Sequence, residues 1–94
     1  MKFSIEKAEP PHKWVGIFTD DEGKETKISF GASSYEDYTQ HRNPIRRTQY
    51  LVRHRAREDW TKPMSAGALS RWILWETPDF QKNVRLFKQR FNLS

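Results

Sequence analysis

The chain has 94 residues, with 17 Lys or Arg against 12 Asp or Glu, so its formal net charge is +5. It contains no Cys, which excludes a disulfide framework and any zinc site built on thiolates. Aromatic residues make up 14% of the chain, and burying a few of them can support one modest core in a chain of this length.

No apolar stretch approaches the roughly 20 residues of a membrane-spanning helix, so no membrane association is expected. The first eleven residues carry charge in every short window, which is unlike a secretory signal peptide. We therefore expect the protein to act inside a cell or in a particle assembled there.

The first third of the chain is typical of β-structure. Residues 2–6 alternate apolar and polar side chains, residues 13–19 are rich in β-branched and aromatic types, and residues 26–30 alternate again. Gly23 lies between the last two runs and can supply the positive φ of a tight turn. The pattern predicts a three-stranded antiparallel sheet within residues 1–31.

The remainder is typical of helices. Ser33 or Ser34 can cap a short helix, with Glu36 and Asp37 in its first turn. Ser65 can cap a later helix, and Thr77–Pro78 resembles a cap followed by proline at the first helical position. The last helix has apolar side chains at helical spacing, namely Phe80, Val84, Phe87 and Phe91.

A longer helix is predicted between the short helix after Ser33 or Ser34 and the helix capped by Ser65. It runs from Pro44 to Arg57, with Asn43 as its cap. Ile45, Val52 and Ala56 can share one side of it, which we expect to face the core.

Together these elements predict one α+β domain covering residues 1–94. The sheet occupies residues 1–31, and three to four helices within residues 33–94 pack on one of its faces.

Charge is strongly segregated along the chain. Residues 1–40 hold five Lys and eight acids, a net charge of −3, whereas residues 41–94 hold twelve Lys or Arg and four acids, a net charge of +8. Residues 41–57 contain no acid and six of the nine arginines. Such segregation favours a cationic surface for an anionic partner.

Nucleic acid is the partner that this pattern favours, with DNA expected rather than RNA. Guanidinium groups bind phosphate in a bidentate fork, so we expect mainly phosphate contacts. The predicted contact residues are Arg42, Arg46, Arg47, Arg53, His54, Arg55 and Arg57. In the alternative, the protein is a structural or interaction module whose arginines form ion pairs within the chain or with an acidic partner.

Aromatic residues also allow two interpretations. Tyr50 and Trp60 lie among the basic residues and could stack on bases, although such spacing is also typical of core residues. Trp72 and Trp75 belong to a segment, residues 66–75, that is apolar nearly all round. It is either buried between the sheet and the last helix or contacts a protein partner or a second copy.

No catalytic constellation is recognisable, so we expect a non-enzymatic protein without a cofactor. His41 and His54 lie thirteen residues apart and do not form a metal-ligand motif, so no metal site is predicted. A small nuclease remains a remote alternative.

Three stretches carry a resemblance: FGASSYEDYTQH at 30–41, RxxYLxRHxxRExW at 47–60 and SAGALSRWILWETP at 65–78. They resemble a small uncharacterised family of large DNA viruses and cyanobacterial phages, over most of residues 28–91. Ser33–Ser34 and Pro44 depart from that pattern. The resemblance implies no activity, but it implies a viral protein located in the infected host cell or in the virion.

Overall fold

Three antiparallel strands followed by four helices make up the computed structural model, which describes all residues 1–94. The predicted α+β class is confirmed. The strands are β1 (Lys2–Lys7), β2 (His12–Thr19) and β3 (Glu25–Ala32), and the helices are α1 (Tyr38–His41), α2 (Pro44–His54), α3 (Ala66–Leu69) and α4 (Phe80–Arg90). A π-helical turn, Ser70–Leu74, continues α3 directly.

The sheet has the order β1-β2-β3. In its register, Phe3 lies opposite Phe18 and Trp14 lies opposite Phe30. Gly23 has a φ of 84° in the turn between β2 and β3, which confirms the turn predicted there. These pairings place large aromatic side chains next to each other on one face of the sheet.

The helices cover this aromatic face. The ring of Phe87 from α4 lies 4.8 Å from that of Phe3, and Leu69 from α3 is fully buried against the sheet. Gly16 in the central strand permits this approach, because a Cβ there would lie 3.2 Å from both Leu69 Cδ1 and Phe3 Cε1. The core therefore sits between the sheet and the segment formed by α3, its π-helical turn and α4.

The start of α2 agrees with the sequence, but its end does not. Asn43 Oδ1 accepts hydrogen bonds from the backbone N–H groups of Ile45 and Arg46, as expected of the predicted cap. The helix ends at His54, and the residues up to Arg57 form a turn in which the Arg57 N–H donates to the carbonyl of His54.

The predicted inner face of this helix is wrong. Ile45 and Val52 are 69% and 57% exposed, and Ala56 is exposed in the turn that follows. Tyr50 is the buried residue of α2, at 7% exposure. The helix takes this orientation because Tyr50 can bury a large ring against Trp75, which removes more apolar surface from water than a smaller aliphatic side chain would.

Two of the predicted caps are also displaced. Asp37 caps α1, because its side chain accepts from the Thr39 N–H, so the helix does not begin at Ser33 or Ser34. Asp79 caps α4 in place of Thr77. In both cases a carboxylate, a stronger acceptor than a hydroxyl, takes the capping position. The cap at Ser65 is confirmed.

None of the helices combines the length and the apolar character that crossing a lipid bilayer would require.

Candidate nucleic-acid interface

Four arginines project into solvent from α2 and its flanks. Arg42, Arg53, Arg55 and Arg57 are exposed, and no carboxylate lies within ion-pairing distance of any of them. At 1.5 Å per residue, the 11 residues of α2 span about 16 Å, which matches about five phosphates along one strand of B-DNA. The four side chains thus form an unneutralised cationic surface.

Arg46 extends this surface but has a partner. Its Nη1 lies 3.6 Å from Glu36 Oε1, and the two side chains are 46% and 62% exposed. An ion pair this exposed contributes little stability, so an incoming phosphate can compete with Glu36 for the guanidinium.

Arg47 lies on the other side of α2 and serves the fold. Its Nε donates a 2.6 Å hydrogen bond to the carbonyl of Trp75, and its Nη2 donates a 3.0 Å bond to Glu76 Oε1. The guanidinium carbon also lies 5.7 Å from the centre of the Tyr38 ring. These contacts fix α2 against the segment after α3, and they engage the donors that a phosphate would need.

Glu58 orders the turn that carries Arg55 and Arg57. One carboxylate oxygen lies 3.2 Å from His54 Nδ1, and the other accepts a 2.9 Å hydrogen bond from Trp60 Nε1. Gly67 makes room for this side chain, because a Cβ there would lie 2.9 Å from Glu58 Cδ. His54 and Trp60 are therefore tied to the same carboxylate and support the cationic turn from within.

Tyr50 is stacked on both faces inside the protein. Its ring lies parallel to that of Trp75, with centroids 4.1 Å apart, and His54 covers the opposite face at 4.2 Å. Burial raises the pKa of the Tyr50 phenol above its ordinary range. This arrangement leaves no face of Tyr50 for a base.

Trp72 is likewise occupied by its own chain. Arg71 and Arg90 lie over its ring, at 4.2 and 3.7 Å from the centre, and its Nε1 donates to the carbonyl of Trp60. Burial lowers the pKa of the Arg71 guanidinium, which remains paired with Glu76. With Ala68, Leu69, Ile73, Leu74 and Trp75 all buried, the segment 66–75 serves mainly as core.

A groove of about 700 Å³ lies beside the cationic surface. Its walls come from α2, from α3 and from the 33–37 loop that joins β3 to α1. Tyr50 and Trp75 form its floor. Arg46 and Arg53 line the α2 side.

Tyr35 stands on the opposite wall of the groove and is 74% exposed. The sequence does not single out Tyr35, because the short helix expected after Ser33 or Ser34 would include it. The pair Ser33–Ser34 directly before it favours a turn, and that signal could have placed Tyr35 in a loop.

His41 helps to fix the corner where α2 begins. Its Nδ1 accepts a 2.9 Å hydrogen bond from the Asn43 N–H, and its ring packs 5.3 Å from Trp75. Burial, and secondarily the charge of Arg46, lowers the pKa of His41 from its ordinary 6.5. Nowhere in the chain do three His, Asp or Glu side chains gather in a way that could hold a metal ion.

Comparison with known proteins places the chain in a family without assigning a role. The model of a family of unknown function (DUF5754) matches residues 6–54, just over half of the chain, and the chain therefore belongs to that family. The match includes β2, β3, α1 and α2 but only the last two residues of β1, and the 65–78 segment of the resemblance lies outside it. No curated protein and no solved structure matches the chain.

Proposed function

We propose that this member of the DUF5754 family binds nucleic acid, DNA rather than RNA, without catalysing a reaction. The proposed contact surface is the basic face, which consists of Arg42, Arg46, Arg53, Arg55 and Arg57. One observation carries the proposal: four of these five guanidinium groups are exposed and have no carboxylate partner in the chain.

The chemistry of these groups favours phosphate as the ligand. A guanidinium stays charged at any physiological pH and matches two phosphate oxygens at once. Neutralising several phosphates releases counterions, which gives tight binding at low salt and weak binding at high salt. The basic face would thus read the backbone more than the bases.

The proposed contact set is smaller than the one predicted from sequence. Arg47 is left out because its guanidinium holds Trp75 and Glu76, and His54 is left out because it faces Glu58. These two residues are instead assigned to positioning the basic face.

The test is a salt titration of binding to a fluorescent DNA oligonucleotide, followed by anisotropy. The variant replaces Arg42, Arg53, Arg55 and Arg57 together by Gln, and each lost phosphate contact should reduce the slope of log K against log salt by about 0.7 for a single strand. The slope should therefore be lower by about 3 than that of the wild type.

A matched control removes the same charge elsewhere. Lys2, Lys7, Lys24 and Lys27 are exposed on the sheet and its turns and form no ion pair, so their joint replacement by Gln also lowers the net charge by four. This control should keep most of the wild-type slope. Equal slopes for the two quadruple variants, or no salt-dependent binding by the wild type, would refute the proposal.

A protein-interaction role is the second candidate, and the outer face of α2 favours it. Ile45 and Val52 are exposed there, and phosphate binding has no need of them. In this case the arginines would pair with an acidic protein, and Ile45→Asp with Val52→Asp would abolish complex formation or self-association measured by light scattering. The infected cell or virion, as the setting of either role, remains a prediction.

A further inference from the structure

We propose that the groove beside α2 accepts one unpaired nucleotide, with its base stacked on Tyr35. This inference rests on the proposed function and names its substrate class as single-stranded nucleic acid. Tyr35, Arg46 and Arg53 all line the same cavity, which places an aromatic ring and two guanidinium groups around one space.

The size of the groove suits a nucleotide. Its volume of about 700 Å³ lies within the range of about 300–1,000 Å³ typical of sites for small ligands. The rings of Tyr50 and Trp75 and the side chain of Leu74 form the apolar floor of the groove. A flat heterocycle can therefore enter without leaving a large void beneath it.

The charges of the lining favour a base inside and phosphates at the edge. Lys13, Arg46 and Arg53 are balanced by Glu36, Asp37 and Glu58. Lys13 pairs with Asp37 at 2.7 Å and Arg46 pairs with Glu36 at 3.6 Å, so Arg53 on the α2 wall is the Lys or Arg of the lining that has no carboxylate partner. A phosphate would be held by Arg53, and by Arg46 once it displaces the exposed Glu36, whereas the carboxylates of the lining can accept hydrogen bonds from the amino groups of a base.

Tyr35 provides what the buried aromatic residues cannot. Its ring is 74% exposed, whereas Tyr50 is covered on both faces and Trp75 is only 9% exposed. An exposed ring offers a face on which any base can stack. In a duplex the bases are already stacked and paired, so only an unpaired nucleotide can reach this ring.

The experiment compares a single strand with a duplex of the same sequence at fixed, low salt. Tyr35→Ala should weaken binding of the single strand about tenfold, since base–aromatic stacking is worth roughly 1–3 kcal/mol, and leave duplex binding within twofold. Tyr35→Phe is the matched control, because it keeps the ring and removes only the hydroxyl, and it should bind the single strand like the wild type.

A second readout reports stacking directly. A 2-aminopurine base in the single strand should lose emission on binding to the wild type and to Tyr35→Phe, but not on binding to Tyr35→Ala. Because Tyr35 is so exposed, the thermal midpoint should be the same in all three proteins.

The outcomes separate this inference from the function on which it rests. If Tyr35→Ala binds the single strand as well as the wild type, or loses single-strand and duplex affinity equally, the nucleotide site is refuted while the basic face stands. If the wild type binds neither form with salt dependence, the proposed function and the nucleotide site both fail.

Discussion

Arg47 and Arg53 lie six residues apart on α2 and should respond to the same substitution in opposite ways. Replacing Arg47 by Gln should destabilise the fold and leave the salt dependence of binding nearly unchanged. Replacing Arg53 by Gln should leave stability unchanged and weaken binding. The difference follows from where the two guanidinium groups point, since Arg47 contacts Trp75 and Glu76 and Arg53 contacts no carboxylate.

The magnitudes can be worked from the contacts. Arg47 makes two hydrogen bonds, one of them to an ionised carboxylate, for which about 1.5–3 kcal/mol is typical when the groups are buried. The side chain retains 27% of its exposure, so the low end applies, and we expect a loss of about 2 kcal/mol. For a domain of this size that loss corresponds to a fall in thermal midpoint of about 10 °C.

For Arg53 the arithmetic concerns binding alone. A surface substitution should change the free energy of unfolding by less than about 0.5 kcal/mol. The loss of one phosphate contact should reduce the slope of log K against log salt by about 0.7.

Thermal unfolding gives the midpoint of each variant, and DNA anisotropy over a salt series gives the slope of log K against log salt for each. A lower midpoint for Arg47→Gln alone, together with a lower slope for Arg53→Gln alone, would support the division of α2 into a structural side and a binding side. A stable Arg47→Gln protein with a reduced slope would show that Arg47 contacts DNA, and the division would then be wrong.

Three further substitutions test the supporting contacts. Glu76→Gln should lower the free energy of unfolding by about 2–3 kcal/mol in urea titrations, because it leaves the mostly buried Arg71 without its ionic partner. Gly16→Val should lower it by about 1–3 kcal/mol, because the added methyl groups overpack against Leu69. His41 has a lowered pKa, so the unfolded chain binds more protons below pH 6.5 and stability should fall as the pH drops from 7 to 5; His41→Gln should flatten that fall.

Each of these has its own control. Glu22→Gln removes an exposed carboxylate that has no ion pair, so it should leave the urea midpoint unchanged. An equal loss of unfolding free energy in Glu22→Gln and Glu76→Gln would contradict the stabilising role of the ion pair at Glu76. Gly16→Ala adds one carbon and should destabilise less than Gly16→Val; the reverse order would contradict overpacking. His12→Gln changes an exposed histidine and should keep the wild-type pH dependence, and a flattened profile there would remove the assignment to His41.

Much of the fold could be predicted from the sequence because its signals are local. The turn at Gly23 needs only a positive φ, and Asn43 and Ser65 cap their helices through atoms two or three residues away. The apolar spacing from Phe80 to Phe91 is carried within a single helix. Patterns of this kind depend on neighbours in the chain, which the sequence displays.

The orientation of α2 could not be predicted in the same way. Ile45 and Val52 share a side of the helix with good apolar spacing, yet Tyr50 and Arg47 face inward. The deciding partners, Trp75 and Glu76, lie more than twenty residues further along the chain. Such long-range pairing overrides the local pattern and is not visible before the helix is packed.

The candidate site shows the same limit. The sequence marked the arginines as one cationic group, and only the fold separates Arg47 from the exposed ones. Tyr35 could not be identified as an exposed ring, since an aromatic residue beside a sheet is more often buried. Charge can be counted from the sequence, but which charges remain unpaired depends on the tertiary structure.

The most direct test of the basic face is a titration of isotope-labelled protein with a short DNA single strand, followed by amide chemical shifts. The account predicts the largest shifts at the amides of Arg53, Arg55 and Arg57, together with those of the 33–37 loop. Shifts confined to the basic side of α4, around Lys82 and Arg85, or no shifts at low salt, would contradict it.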